Sequence, residues 1–138
     1  GRGRPGCGVI GLDTNMIVRM VVRDDERQTA VADRVFDSLT PRDKGYLTQM
    51  VQVELWWVLR RRYRQPAAEV SKLMAELLAS DNLEFEKPQD LAWALELTNQ
   101  GADLADLLIA RQASRRGGCT LTLDEKAAAL GFGMELAD

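Results

Sequence analysis

The stretch GVIGLDTNMIVRM, residues 8–20, decides the fold class. Its first five residues form a short apolar run that ends at Asp13, the pattern of a buried strand. Met16, Ile17, Met20 and Val21 then recur at helical spacing, which predicts a helix over 14–22 directly after the strand. A strand leading straight into an amphipathic helix is the first half of a β-α-β unit.

The same alternation continues outward. Ala30, Val31, Val35 and Leu39 predict a helix over 25–39 that stops before Pro41, and Gly45 to Thr48 reads as a second strand. Met50, Val53 and Trp57, with Val51, Leu55, Val58 and Leu59, predict a helix over 49–64 ending in the basic run RRRYR. Pro66 suits the first turn of a helix over 67–79, Leu83 and Phe85 mark a third strand, and Pro88 opens a helix running to about Asn99 with Gly101 as its cap. A helix over 104–116 ends at Gly117-Gly118, and the run 119–123 is a fourth strand ending at Asp124. A short helix over 125–130 and a strand over 134–136 close the chain. Strands alternating with helices imply a three-layer α/β/α sandwich around a mostly parallel sheet of four to five strands. Ligands of such folds sit beyond the carboxyl ends of the strands.

The chain has 138 residues, 21 acids, 18 Lys and Arg, and no histidine. That length fits one domain, expected over 8–138, with the Gly-rich residues 1–7 as a disordered tail or expression scar. The lack of histidine excludes Ser-His-Asp and Cys-His catalysis, and His-ligated zinc, within this chain. A net charge of −3 excludes nucleic-acid binding by bulk charge. Cys7 and Cys119 lie far apart and predict no structural disulfide, which favours a cytoplasmic location. No apolar run reaches the roughly 18 residues of a membrane span.

Chemistry therefore falls to carboxylates. Asp13 and Asp124 follow strands, Glu54 stands within the apolar VQVELWWVL, and Asp103 and Asp106 share one face at the start of a helix. Asp103, Asp106 and Asp124 also read as caps or first-turn acids favoured by the helix dipole, so both readings stand for them. Glu54 and Asp13, set among apolar residues, are harder to explain as ordinary surface charges. Clustered carboxylates repel one another, and a divalent cation relieves the repulsion. Oxygen-only ligands select Mg²⁺ or Mn²⁺, whose natural chemistry with phosphodiesters is attack by water.

The pieces GLDTNMIVR, VQVELWWVLRRRY, GADLADLLIARQA and TLTLDEKAA occur in that order over residues 10–129. In this order the chain resembles the PIN-domain family and, within it, the VapC-type ribonuclease toxins of toxin–antitoxin pairs. The resemblance implies a four-acid catalytic site of Asp13, Glu54, Asp106 and Asp124, with Asp103 as an additional metal-side acid. Thr14 and Asn15 match the polar pair after the first aspartate, and Thr122 belongs to the Thr-x-Asp of the fourth strand. It further implies a Mg²⁺- or Mn²⁺-dependent endoribonuclease leaving 5′-phosphate and 3′-hydroxyl ends, a homodimer, and a cognate antitoxin.

Basic clusters offer RNA contacts: Arg60, Arg61, Arg62 and Arg64 in one, Arg111, Arg115 and Arg116 in the other. The plain alternative is cations solvated at helix C-termini. Trp56 and Trp57 read first as core or interface residues and second as base-stacking groups. The apolar helices over 14–39 and 49–78 are candidate docking surfaces for a partner helix. Competing classes are a catalytically inactive RNA-binding or protein-binding domain, a deoxyribonuclease, and a phosphoaspartate enzyme built on Asp13. The last would carry a second aspartate where Asn15 stands, and a receiver domain would need a strand ending in aspartate near mid-chain.

Overall fold

A computed structural model of the chain describes residues 8–138; the expected tail at 1–7 lies outside the described residues. Five strands, β1 (Ile10–Gly11), β2 (Gly45–Leu47), β3 (Leu83–Phe85), β4 (Thr120–Thr122) and β5 (Met134–Leu136), alternate with seven α-helices. The helices are α1 (Thr14–Val22), α2 (Glu26–Ser38), α3 (Gln49–Trp57), α4 (Ala67–Leu78), α5 (Pro88–Leu97), α6 (Leu104–Arg115) and α7 (Glu125–Leu130). Two short helical extensions differ from expectation. A π-helical turn, Val58–Arg62, takes over from α3, and a 3₁₀ turn, Thr98–Gln100, ends α5 at Gly101 with φ +92°.

All strand pairing is parallel, as the alternation predicts. The strands form two ladders, β1-β2-β3 and β4-β5, where one sheet of four to five strands was expected. The inner strand β2 is tied on both sides, by Ile10 N–H to Lys44 C=O (2.8 Å) and Gly45 N–H to Asn82 C=O (2.9 Å). A two-residue β1 offers little backbone for a second neighbour, and its N–H groups at Ile10 and Leu12 already point to β2.

One face of the three-stranded ladder carries the core. Leu12, Leu47, Leu83 and Phe85 are buried and join Ile17 and Val18 of α1, Leu55 and Trp56 of α3, Val70 and Met74 of α4, Leu91 and Leu95 of α5, and Leu104 and Leu107 of α6. The other face presents the in-register row Gly11, Tyr46, Glu84, with Gly11 and Glu84 exposed. Gly45 has a steric reason. A Cβ there would stand 2.5 Å from a Leu12 methyl and 3.0 Å from methyls of Leu39 and Leu83, so any side chain would require those buried leucine ends to shift. Among the described residues no helix is long and apolar enough to cross a membrane.

Capping residues start the helices that matter for the site. Asp13, Thr48, Asp103 and Asp124 each adopt extended backbone at an N-cap and accept a hydrogen bond from the third residue onward. Because the strands of each ladder are parallel, Asp13 and Thr48 emerge at one edge of the first ladder, and Asp124 at the corresponding edge of the second.

Candidate functional site

The cap geometry assigns one oxygen on each of three acids. Asp13 Oδ1 accepts from Met16 N–H (3.0 Å), Asp103 Oδ2 from Asp106 N–H (3.3 Å), and Asp124 Oδ1 from Ala127 N–H (3.1 Å). Thr122 Oγ1 accepts from Asp124 N–H (3.0 Å), fixing the turn in which Asp124 leaves the strand. Glu54 also has one oxygen engaged: the buried Thr14 hydroxyl, at the start of α1, donates to Glu54 Oε1 on α3. Each of these four carboxylates keeps its second oxygen for other use. The capping reading of Asp103 and Asp124 is observed, and it leaves the second oxygen of each carboxylate without a protein partner among the described residues. Asn15 is exposed in the first turn of α1.

Glu54 is exposed, not enclosed by the apolar residues beside it in sequence. Successive helix residues point about 100° apart, so Val53 and Leu55 flank it without surrounding it. Its charge therefore needs no compensating ion for solvation alone. Asp13 is exposed as well.

The acids fall into two groups. Asp13, Thr14 and Glu54 meet where α1 and α3 begin. Asp103, Asp106 and Asp124 gather at the starts of α6 and α7: burial first, then the charges of Asp103 and Asp124, push the Asp106 carboxyl above its ordinary value. Glu54 and Trp57 line one side of an α3–α6 groove and Ala105, Leu108 and Ile109 the other, whereas Asp103 and Asp106 line a separate small cleft with Ala127 and Leu130. Among the described residues, no three His, Cys, Asp or Glu side chains converge as ligands of a single ion. Mg²⁺ needs only one or two carboxylates, filling the remaining positions with water and phosphate oxygens. An oxygen-only set in which each acid keeps at least one spare oxygen fits an ion held largely through water. It does not fit an ion caged by protein.

The basic residues divide sharply. Asp90, missed in the sequence reading, is only 2% exposed at the start of α5. It accepts from Arg111 Nε (3.3 Å), Gln112 Nε2 (3.0 Å) and Arg115 Nε (3.0 Å), with a second bond from Arg115 Nη2. Burial alone would raise the Asp90 carboxyl; the bonds from Arg115, Gln112 and Arg111 outweigh it and hold the group below its ordinary value. Arg111 also lies over the Trp93 ring at 4.7 Å. Arg111 and Arg115 thereby clamp α6 onto α5, and Arg115, expected among the RNA contacts, is paired with Asp90 while 48% of its side chain stays exposed. Arg60, Arg61 and Arg62 stay exposed at the end of α3, Arg60 giving one N–H to Gln65 C=O (2.9 Å). The two tryptophans also divide: Trp56 is 4% exposed and belongs to the core, whereas Trp57 is 55% exposed.

A cue for Asp90 exists in PQDLAW, where an acid follows a helix-opening proline, but its partners lie 21 to 25 residues away on another helix. No curated protein matches the chain. The profile of the PIN domain matches residues 10–133, a span that includes every acid of the site, Thr14, Thr122 and the Asp90 clamp. The chain belongs to the PIN-domain family, a nuclease-type α/β fold.

Proposed function

We propose that this PIN domain is a Mg²⁺- or Mn²⁺-dependent endoribonuclease, working as the toxin of a toxin–antitoxin pair in the cytoplasm. The observation that carries the reading is the spare oxygen kept by each of Asp13, Glu54, Asp103 and Asp124, together with the gathering of Asp106 with Asp103 and Asp124. Asp13 and Asp106 are the principal ligands, and Glu54, Asp124 and Asp103 complete the site directly or through water. When bound, the ion polarises the scissile phosphate and makes water a competent nucleophile near neutral pH.

The chain's own residues do the rest. A spare carboxylate oxygen of the cluster accepts the proton of the attacking water. The water oxygen bonds to phosphorus while the P–O3′ bond breaks. The 3′ oxygen leaves with the bonding electrons and takes up a proton, giving 5′-phosphate and 3′-hydroxyl ends. Thr14 keeps Glu54 aimed at the groove, and Thr122 fixes Asp124. Arg60, Arg61 and Arg62 attract the RNA backbone.

For the antitoxin, a mainly apolar cleft of about 360 Å³ lined by Val21, Phe36, Leu73 and Leu77 adjoins a mixed polar and apolar one of about 470 Å³ lined by Val21, Tyr63, Glu69, Lys72 and Leu73. Met50 and Ile109, exposed on facing helices, support pairing of two copies.

A second reading has its own support. Three of the five acids are helix caps, and the described acids do not converge as ligands of one ion, which suits an inactive PIN-like domain that only binds RNA or protein. End-group analysis of RNA incubated with the protein and Mn²⁺ separates the readings. Products bearing 5′-phosphate, formed also from substrate with 2′-deoxy sugar at the cut, support the nuclease; intact RNA supports the inactive domain.

A further inference from the structure

Trp57 is the observation that the site description leaves unused. It stands three residues after Glu54 on α3, hence on the same helix face, and more than half of it is exposed although its neighbour Trp56 is buried. An exposed indole on a core-bearing helix forgoes the burial energy its size offers. Two concavities meet at this ring. One is the α3–α6 groove holding Glu54. The other is a cleft of about 210 Å³ lined by Trp57, Arg60, Arg61, Asp103 and Lys126.

The second cleft has the composition of a nucleotide subsite. It is smaller than the roughly 300–1,000 Å³ of sites for drug-sized ligands, which suits a single base. An aromatic face stands beside three cations. Arg60, Arg61 and Lys126 are absent from the four ion pairs formed among the described residues. Its acid end is Asp103, which belongs to the cluster with Asp106 and Asp124. Base stacking needs a flat π surface, and phosphate neutralisation needs mobile cations next to it. Arg60 and Arg61 sit on the π-helical turn Val58–Arg62 and line the cleft together with Trp57 and Lys126.

We infer that this cleft is a base-stacking subsite in which Trp57 holds one unpaired nucleobase next to the scissile phosphate, with Arg61 and Lys126 on the adjoining backbone. It rests on the ribonuclease reading only for the identity of the polymer. The subsite selects single-stranded RNA, because a base within a duplex offers no free face to the indole. It is tolerant of base identity, because every base has a π face.

Fluorescence anisotropy of a labelled single-stranded 12-mer RNA of mixed sequence, and of the same strand annealed to its complement, tests the inference. Binding is measured in EDTA, and again with Mn²⁺ in the Asp13→Ala background so that nothing is cut. Trp57→Ala is expected to weaken single-strand binding about 5- to 100-fold, with Trp57→Tyr within about threefold of the parent and the far-ultraviolet circular dichroism unchanged. Duplex binding, weaker from the outset, is expected to change less than about twofold. Equal single-strand affinity of Trp57→Ala and its parent overturns the inference, as does the absence of RNA binding in both conditions. A Trp57→Ala protein that loses self-association while keeping its RNA affinity overturns it too, and marks the ring as a protein contact. Failure of the wild type to cut RNA, with Trp57-dependent binding intact, overturns the nuclease reading alone.

Discussion

The hydroxyl of Thr14 donates to the carboxylate of Glu54, joining α1 to α3 across 40 residues of sequence. Thr14 is buried and Glu54 is exposed, so the bond aims an otherwise mobile surface acid at the α3–α6 groove. Thr14→Val removes the donor and keeps the shape. It is expected to lower Mn²⁺ affinity, measured by calorimetry, about tenfold, in line with the roughly 1.5–3 kcal/mol of a hydrogen bond to a charged group. Thr14→Ser, which restores the donor, should recover the affinity. Equal affinity in all three proteins would remove Thr14 from the site.

Asp106 predicts a conflict between function and stability. Its carboxyl is raised by burial and by Asp103 and Asp124, so ionising it in the metal-free protein disfavours the folded state. For a carboxyl raised on folding, the unfolded chain releases its proton more readily, and stability falls as pH rises through the ordinary and then the raised value. Asp106→Asn is therefore expected to raise the melting temperature of the metal-free protein at pH 7 by about 1–3 °C and to leave it unchanged near pH 3. Added Mn²⁺ should stabilise the wild type and not the variant. Differential scanning calorimetry with and without Mn²⁺ at both pH values checks all three statements.

Asp90 carries the opposite sign. Its carboxyl is lowered on folding, so its contribution is present above the ordinary value of 3.8 and is lost as pH falls through the lowered one. Asp90→Asn keeps the size but weakens four charge-assisted bonds. It is expected to cost about 2–3 kcal/mol at pH 7, the arginines being partly able to return to water. Urea unfolding at pH 7 and pH 3 should show the difference shrinking at the lower pH.

The two basic clusters should separate in salt titrations of RNA binding. Replacing Arg60 and Arg61 together by Ala is expected to weaken binding and to flatten the slope of log K against log salt by about 1–1.4, the effect of two phosphate contacts to a single strand. Arg115→Ala should leave that slope unchanged and lower the unfolding midpoint in urea, because its guanidinium is committed to Asp90.

The alternation of strands and helices, the caps at Asp103 and Asp124, and the position of Asp13 and Asp124 after strands were legible from local pattern, since they depend on residues within a few positions of one another; the cap at Asp13 was not read. The division of the strands into two ladders was not, because pairing is decided by which short backbone segments meet. The exposure of Glu54 and the separation of Trp56 from Trp57 follow from a rotation of about 100° per residue, which a reading by sequence neighbours overlooks. The Asp90 clamp joins α5 to α6 through side chains more than 20 residues apart, and nothing near PQDLAW announces it. Conversely, Arg115 looked free for RNA because its partner is supplied by the fold.

Asp13 and Glu54 at α1 and α3, and Asp103, Asp106 and Asp124 at α6 and α7, are proposed to act as one metal-dependent site. Cleavage of a labelled single-stranded RNA by the purified protein, with Mn²⁺, with Mn²⁺ plus excess EDTA, and with the Asp13→Ala and Asp106→Asn variants at matched fold stability, tests it most directly. Cutting is expected from the wild type in Mn²⁺ alone, with a loss of at least about a hundredfold, on the order of 2.7 kcal/mol of transition-state stabilisation, in either variant. Cutting that survives EDTA, or that persists undiminished in both variants, would contradict it.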